Sequence, residues 1–323
     1  MNQERFRDNL IRVARRRVVS RTSRRGFTLV ELLMVIVVIG VLSSLLVVAS
    51  MSVLGNAREA ATKATLSKIN TMLKERMSAF ETHMTNLING DIHLTLGAPD
   101  ERSGKILLRN REFKKYFPQS WSEATDIAAA AGVTPQTAPS TSATEIATES
   151  AEVLYMMLTK TTLTGQGEIG QDAFSSSELA DKDGDGRKEL VDSWGTPLRF
   201  YRWPCRLIKP SASSPTDNPS AAELKAARTQ ISALTTDTAD KAINSDPDDP
   251  YDLASSISTF ANDYHFRKTY HTPLVVSAGI DALFGLESPI DSNVDNRQAK
   301  PTANTAELYD NLTNLNALAG GSQ

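Results

Sequence analysis

The sequence contains a single cysteine, few aromatic residues and no early proline, and each shortage limits what the chain can be. Cys205 alone excludes an intramolecular disulfide and a zinc centre built on cysteines. Apolar residues make up 40% of the chain and aromatic residues 6%, against an apolar share of roughly 45–50% in globular domains. No proline precedes Pro99, so nothing of that kind interrupts a helix before it. We therefore expect a long N-terminal helix rather than one fully packed globule.

Charge is missing from residues 32–57, where valine, leucine and isoleucine dominate. As a helix this stretch would measure about 39 Å, enough to cross the ~30 Å hydrocarbon core of a bilayer. Residues 1–26 carry a net charge of +7, and since the whole chain carries −3, residues 27–323 carry −10. A basic head, an apolar span and an acidic body predict one membrane crossing with a cytoplasmic N-terminus. An acidic body also argues against a nucleic-acid-binding surface.

The segment after the apolar span continues the helical pattern. Apolar residues recur there at steps of three and four, namely Ile69, Met72, Leu73, Met77, Phe80, Met84 and Leu87. This spacing predicts one amphipathic helical face that packs against the rest of the protein. The pair Asn89-Gly90 predicts where the helix ends. We therefore assign residues 27–54 to a membrane helix and residues 55–90 to its amphipathic continuation.

Glu31 lies within one helical turn of the start of the apolar span. A carboxylate at that depth in a membrane costs a few kcal/mol and indicates a function. No positive side chain follows it before Arg58. Cleavage after Gly26 would create an α-amino group on Phe27, and that group on a neighbouring copy could pair with Glu31 and fix the offset between subunits.

Three simpler interpretations of residues 1–57 fit less well. The apolar part of a cleaved secretory signal spans only about 7–15 residues. A twin-arginine export signal agrees with Arg24 and Arg25, but not with a carboxylate so soon after them. An ordinary N-terminal anchor has no use for Glu31 at all.

The run Arg24-Arg25-Gly26-Phe27-Thr28-Leu29-Val30-Glu31-Leu32 resembles the class III leader junction of type IV pilins and type II secretion pseudopilins. The resemblance implies that residues 1–26 are a leader, removed by a prepilin peptidase that cuts between Gly26 and Phe27 and N-methylates Phe27. It also implies that Glu31 supports recruitment of the subunit into a helical filament.

Residues 91–323 are predicted to form an α+β body in which a small antiparallel sheet packs on the long helix. Branched and aromatic residues predict strands at 105–109, 198–203 and 274–277. Composition predicts helices at 151–160 and 221–234. Residues 123–150 are rich in Ala, Thr, Ser and Pro and are predicted to form a loop. Loop-rich insertions are expected near 123–180 and 205–262.

The segment 181–192 matches the start of an EF-hand-type calcium loop. The carboxylates at positions one, three, five, nine and twelve are Asp181, Asp183, Asp185, Glu189 and Asp192. The glycine at position six is Gly186, and the backbone ligand at position seven is Arg187. Oxygen ligands in this number suit a hard cation such as calcium. The alternative is a solvated Asp/Gly turn before a strand, and the sequence leaves both open.

Two further segments resemble the major pseudopilin family. Residues 192–197 follow its D-x-W-G-x-P pattern, and residues 277–285 follow its S-x-G-x-D-G-x-x-G loop with Ala282 in place of a glycine. The second loop is associated with calcium in that family, which makes Asp281 a weaker ligand candidate here. Acidity and spacing alone add Asp291 and Asp295. The resemblance favours a pseudopilin, although the mature chain would be about twice the usual size, which leaves a minor subunit possible. Glu31 argues against the large tip subunit, which typically lacks that glutamate.

Nothing in the sequence indicates an enzyme. The four histidines are too scattered to form a metal-binding pair, and no nucleotide-binding or nucleophile motif is present. We therefore predict a structural subunit of a type II secretion pseudopilus, single-pass in the inner membrane with a periplasmic body. Its expected partners are other pseudopilins, prepilin peptidase and the inner-membrane assembly platform. The alternatives are a type IV pilus subunit, major or minor, and a membrane-anchored calcium-binding module outside the cytoplasm.

Overall fold

The computed structural model describes most of the helical and sheet-forming parts of the chain. It covers residues 27–88, 96, 98–135, 143–161, 163, 171–204, 249, 253, 257–265, 272–291, 296–299, 302, 304–308 and 310–315. The chain divides into two compact units, Met1–Val53 and Leu54–Gln323. Helix α1, Leu29–Leu87, contributes residues to both units.

The first unit is described only as the beginning of α1. Its segment Leu29–Val47 has a mean hydropathy of 2.8, and none of it is buried within the molecule. By length and composition this segment could cross a membrane, since its 19 residues span about 28 Å as a helix. A continuous apolar surface of this kind needs lipid or other helices around it.

In the second unit the remainder of α1 buries one face. Five residues of the predicted stripe are buried, Ile69, Met72, Leu73, Phe80 and Met84, and Met77 and Leu87 pack against them as half-buried residues. The predicted amphipathic face is therefore confirmed. The helix ends at Leu87, and the predicted Asn89-Gly90 stop lies outside the described residues.

Helix α2, Glu101–Tyr116, replaces the strand predicted at 105–109, so that prediction is wrong. The side chain of Asp100 caps the helix by accepting hydrogen bonds from the backbone N–H groups of Arg102 and Ser103. Ile106 and Phe113 are buried on the same helix. The local aliphatic run suggested a strand, but the cap and a helical apolar spacing decided the structure.

Helices α3, Trp121–Ala130, and α4, Ala143–Thr159, occupy much of the segment predicted as a loop. The loop prediction for 123–150 is therefore wrong for residues 123–130 and 143–150, while 136–142 lie outside the described residues. The helix predicted at 151–160 is confirmed as the second half of α4. Alanine is the strongest helix former, and the buried faces of both helices supply the stability that composition alone did not reveal.

Two antiparallel sheets complete the body. Strands β1, Leu179–Ala180, and β2, Glu189–Leu190, form a hairpin around residues 181–188. Strands β3, Arg199–Tyr201, β4, Leu274–Ser277, and β5, Leu312–Thr313, form a second sheet in that order. The strands predicted at 198–203 and 274–277 are thus confirmed. Helix α5, Phe260–Asp263, and 3₁₀ turns at Gln171–Ala173, Asn296–Gln298 and Thr305–Leu308 join these elements.

The main hydrophobic core unites α1, α2, α4 and both sheets. Leu66 and Phe80 of α1 share it with Leu154 of α4, Phe200 of β3 and Val275 of β4, and all five are fully buried. The predicted α+β architecture, a long helix packed on a small antiparallel sheet, is confirmed. The helix predicted at 221–234, Cys205 and nearly all of the insertion at 205–262 lie outside the described residues.

Candidate functional site

The start of α1 is fixed by hydrogen bonds between Thr28 and Glu31. The backbone N–H of Thr28 donates to Glu31 Oε2 at 3.0 Å, and the backbone N–H of Glu31 donates to Thr28 Oγ1 at 3.2 Å. The hydroxyl of Thr28 also donates to Glu31 Oε2, at 3.0 Å. This reciprocal arrangement is a capping box, in which Thr28 is the N-cap and Glu31 the third helical residue.

Glu31 thus has a hydrogen-bond partner in its own helix, although Thr28 carries no positive charge. The sequence carried the signal, because Ser or Thr followed three residues later by Glu is a known helix start. Phe27 is 81% exposed, and Gly26 lies outside the described residues. One carboxylate therefore caps its own helix and is at the same time the residue proposed to recruit a neighbouring copy.

The acidic loop is held in shape by its own aspartates. Asp181 accepts a hydrogen bond from the backbone N–H of Gly184 at 2.8 Å, and Asp185 accepts one from that of Arg187 at 2.7 Å. Gly184 has a φ of 80°, which a side chain would make unfavourable. Asp181, Asp183 and Asp185 each place a carboxylate oxygen within 4.8 Å of the other two.

A second, buried acidic group shares Asp183. Glu152 of α4 and Glu189 of β2 each place a carboxylate oxygen within 4.8 Å of Asp183 and of one another. Glu152 is 2% exposed and Glu189 is fully buried. The indole N–H of Trp121 donates to Glu152 Oε2 at 2.8 Å, and the hydroxyl of Thr148 donates to Asp183 Oδ2 at the same distance. Helices α3 and α4 therefore build the inner side of the site.

Burial and mutual repulsion disturb both buried glutamates. Burial raises the pKa of Glu152 to about 7, and the nearby charges of Asp185 and Asp183 add to the effect. Burial likewise raises the pKa of Glu189 to about 7, with Asp183 and Asp181 as the repelling charges. Carboxylates in such surroundings carry their full charge at neutral pH only when a positive partner compensates it.

Sequence reasoning missed Glu152, and it made Asp192 a predicted ligand although both of its carboxylate oxygens accept hydrogen bonds within the protein. Glu152 lies on a different element from the loop, so no spacing rule could find it. Asp192, counted as the twelfth loop position, instead fastens the next turn, because its Oδ1 accepts from the backbone N–H groups of Trp194 and Thr196 at 2.9 Å. Its Oδ2 accepts from the hydroxyl of Ser277 at 2.7 Å. Neither close acidic group includes Asp192.

Arg187 is tied to the rim of the loop. Its guanidinium pairs with Asp185 and lies 5.1 Å from the ring centre of Trp121, a cation–π contact. Its backbone carbonyl, counted as the seventh loop position, stays a predicted ligand. The other predicted ligands, Asp181, Asp183, Asp185 and Glu189, all belong to the two close groups.

The second predicted acidic loop has a different organisation. Asp281 is exposed and its Oδ1 accepts from the backbone N–H of Leu283 at 2.8 Å. The backbone N–H groups of Ile280 and Asp281 both donate to Asp310 Oδ2. Asp291 is half-buried, and Asp295 lies outside the described residues. Among the described residues this loop brings no three acidic side chains together.

Comparison with known families finds one match, at the N-terminus. Residues 21–47 match the family model of the prokaryotic N-terminal methylation motif. This match supports the type IV pilin-like or pseudopilin assignment, and it implies processing by prepilin peptidase and assembly into pilin-type polymers. No curated protein and no solved structure matches the chain.

Proposed function

We propose that this chain, a pilin-like protein by its methylation motif, is a structural subunit of a type II secretion pseudopilus. The observation that carries the proposal is the motif at residues 21–47, which includes both the leader junction and the unburied apolar helix segment Leu29–Val47. A plain membrane anchor needs the apolar helix alone. A filament subunit needs both the cleavage site and the helix.

Assembly follows from the chemistry of the new N-terminus. Prepilin peptidase cuts after Gly26 and leaves a methylated α-amino group on Phe27. In a low-dielectric membrane an unpaired positive charge is unfavourable, and Glu31 of a neighbouring subunit supplies a carboxylate that pairs with it. The pair fixes the axial offset between copies, while the apolar surfaces of neighbouring α1 helices pack against each other as the subunit leaves the bilayer.

Features of the body support a pseudopilus over a surface pilus. A type IV pilus subunit is expected to close its C-terminal region with a disulfide, which the single Cys205 cannot form within one chain. The turn that resembles the major pseudopilin pattern is a structural joint, because Asp192 links it to Ser277 of β4. The pseudopilus grows from the inner-membrane assembly platform, incorporates other pseudopilins and pushes secreted proteins outward, so the body lies in the periplasm.

The capping box allows the two roles of Glu31 to be separated. Glu31→Gln keeps a cap acceptor, since glutamine serves at this position, but removes the charge. Thr28→Ala keeps the charge and removes the hydroxyl. If charge pairing drives assembly, Glu31→Gln should reduce filament yield about as severely as Glu31→Ala, while Thr28→Ala should assemble nearly normally. If capping is the only role, the Gln variant should assemble and the Thr28 variant should be impaired.

The experiment is done in cells that contain prepilin peptidase and the secretion machinery. Intact mass first establishes that each variant begins at a methylated Phe27, with a bulky substitution of Gly26 as the uncut control. Filament yield and export of secreted proteins are then measured together. Normal assembly of Glu31→Gln rejects the pairing mechanism, and a wild-type chain that still begins at Met1 rejects the filament function in favour of a membrane-anchored module. Surface filaments without any export defect favour the type IV pilus.

A further inference from the structure

We propose that the buried side of the acidic loop binds calcium through Glu152, Asp183 and Glu189. This inference does not depend on the filament function. It also differs from the loop-only site that sequence spacing predicted, because a glutamate of α4 takes part and Asp192 does not. The group thus joins three elements, namely α4, the hairpin loop and strand β2.

The spacing of the three carboxylates fits one hard cation. Calcium binds oxygen ligands at about 2.3–2.6 Å, so two oxygens on the same ion stand no more than about 5 Å apart. One oxygen from each of Glu152, Asp183 and Glu189 lies within 4.8 Å of the other two. The three side chains therefore need little rearrangement to share an ion.

No described positive side chain pairs with the three carboxylates to compensate their negative charge. Two of its members are almost completely buried, and burying a carboxylate without a positive partner is strongly unfavourable. Within the described part of the chain no salt bridge reaches Glu152, Asp183 or Glu189, and the nearby Arg187 pairs with Asp185. A divalent cation would supply the missing charge at the centre of the group.

Glu189 provides independent evidence that the site binds a ligand. Its Oε2 accepts from the backbone N–H of Lys182 at 3.0 Å. Its Oε1 is fully buried and accepts no hydrogen bond from any described residue. A buried polar atom without a partner is rare in folded proteins and calls for a specific cause. Coordination of a cation by this oxygen accounts for both its burial and its lack of a donor.

The chemistry of the site selects calcium among metals. All three side chains offer oxygen, and neither histidine nor cysteine belongs to the group, which disfavours zinc. Asp181 and Asp185 stand beside Asp183, and such a crowded set of carboxylates suits the large, flexible coordination shell of calcium better than the rigid octahedron of magnesium. Calcium would also bind the folded state preferentially and so stabilise the docking of the loop on α4.

The test is calorimetric titration of the full-length protein in detergent with calcium chloride after removal of bound metal, in parallel with thermal unfolding. Glu152→Gln and Glu189→Gln should each weaken calcium binding at least about tenfold, since even groups that only orient a ligand contribute 10–100-fold. Asp172→Asn is the matched control, because Asp172 is exposed and lies outside the acidic groups, and it should bind like the wild type.

The Gln variants also distinguish binding from a purely structural role. In a chelator, each variant should be at least as stable as the wild type, because one of three repelling carboxylates is removed, yet calcium should no longer raise its melting temperature. Equal destabilisation with and without calcium overturns the proposal. So does a wild type that binds no calcium, a magnesium affinity equal to that for calcium, or unchanged binding in Glu152→Gln, which would place the ion on the exposed aspartates alone.

Discussion

Asp192 shows how one residue can match a metal-ligand pattern and serve a different purpose. It is almost completely buried, and burial raises the pKa of its carboxyl. Its two oxygens accept hydrogen bonds from Trp194, Thr196 and Ser277. The residue therefore closes the turn between β2 and β3 and joins that turn to β4.

We expect Asp192→Ala to lower the free energy of unfolding by about 2 kcal/mol, because buried donors lose a charged acceptor. Asp192→Asn should cost less, since its amide oxygen can still accept from the two turn N–H groups and Ser277 can accept from its NH₂. Urea denaturation measures both variants. Calcium titration of Asp192→Asn adds a second check, because this variant should keep wild-type affinity. A large loss of affinity would restore Asp192 as a ligand.

At the residue scale, the sequence predicted interactions between residues that are close together in the chain, but not those that tertiary packing creates. The Thr28 and Glu31 pair is readable as a helix start, and Asp181, Asp183 and Asp185 are readable as a turn that gathers carboxylates. Glu152 is not, because only the packing of α4 on the β1–β2 hairpin brings it to Asp183. Glu189 was predicted as a ligand, but its complete burial depends on tertiary structure.

A buried ion pair connects helix α3 to the residue that follows strand β3. Arg202 donates to both carboxylate oxygens of Glu123, at 2.7 and 3.2 Å, and the backbone N–H of Gln119 donates to one of them. Lys114 and Arg297 stand 3.9 and 3.7 Å away. Burial acts to raise the pKa of Glu123, but the charge and hydrogen bonds of Arg202, the backbone N–H of Gln119 and the charge of Lys114 together outweigh it, and the net pKa lies below the ordinary 4.5.

A carboxyl whose pKa is lowered by folding contributes stability above its unfolded pKa, and that contribution is lost as the pH falls through its folded pKa. Glu123→Gln should therefore cost about 3 kcal/mol at pH 7, where it leaves Arg202 buried and uncompensated. The difference from wild type should shrink below pH 4.5. Urea denaturation at a series of pH values measures it, with Glu75→Gln on the exposed face of α1 as control. A difference independent of pH contradicts the assignment.

At the scale of elements, periodicity was a reliable guide, whereas composition correctly predicted the helix at 151–160 but wrongly predicted a loop over much of 123–150. The stripe on α1 follows directly from the spacing of its apolar residues, and the strands at 198–203 and 274–277 follow from their branched and aromatic residues. The Ala- and Thr-rich segment of α3 and α4 has no such clear pattern, and its helices depend on burial against the core. The strand prediction at 105–109 is wrong because Asp100 caps a helix that includes this short aliphatic run.

At the scale of the whole molecule, the two compact units differ in how far their apolar side chains are buried within the protein. The large apolar side chains described between Leu29 and Val47 are 49% or more exposed, and the core is built from Leu66 onward. The apolar span and the acidic body were both readable from the sequence. That the body folds around the second part of α1 also followed from the amphipathic stripe.

This division predicts that a fragment of residues 54–323 folds without the apolar helix. The cut falls two helical turns before Thr62, the first residue of α1 that is buried among those whose burial the structure describes. The fragment therefore loses no described core side chain and only frays its new helix end. We expect it to be soluble without detergent and to unfold cooperatively, with a melting temperature close to that of the body in the full-length protein. Calorimetry and circular dichroism measure both. An aggregated or molten fragment would mean that residues before Leu54 contribute to the folded body.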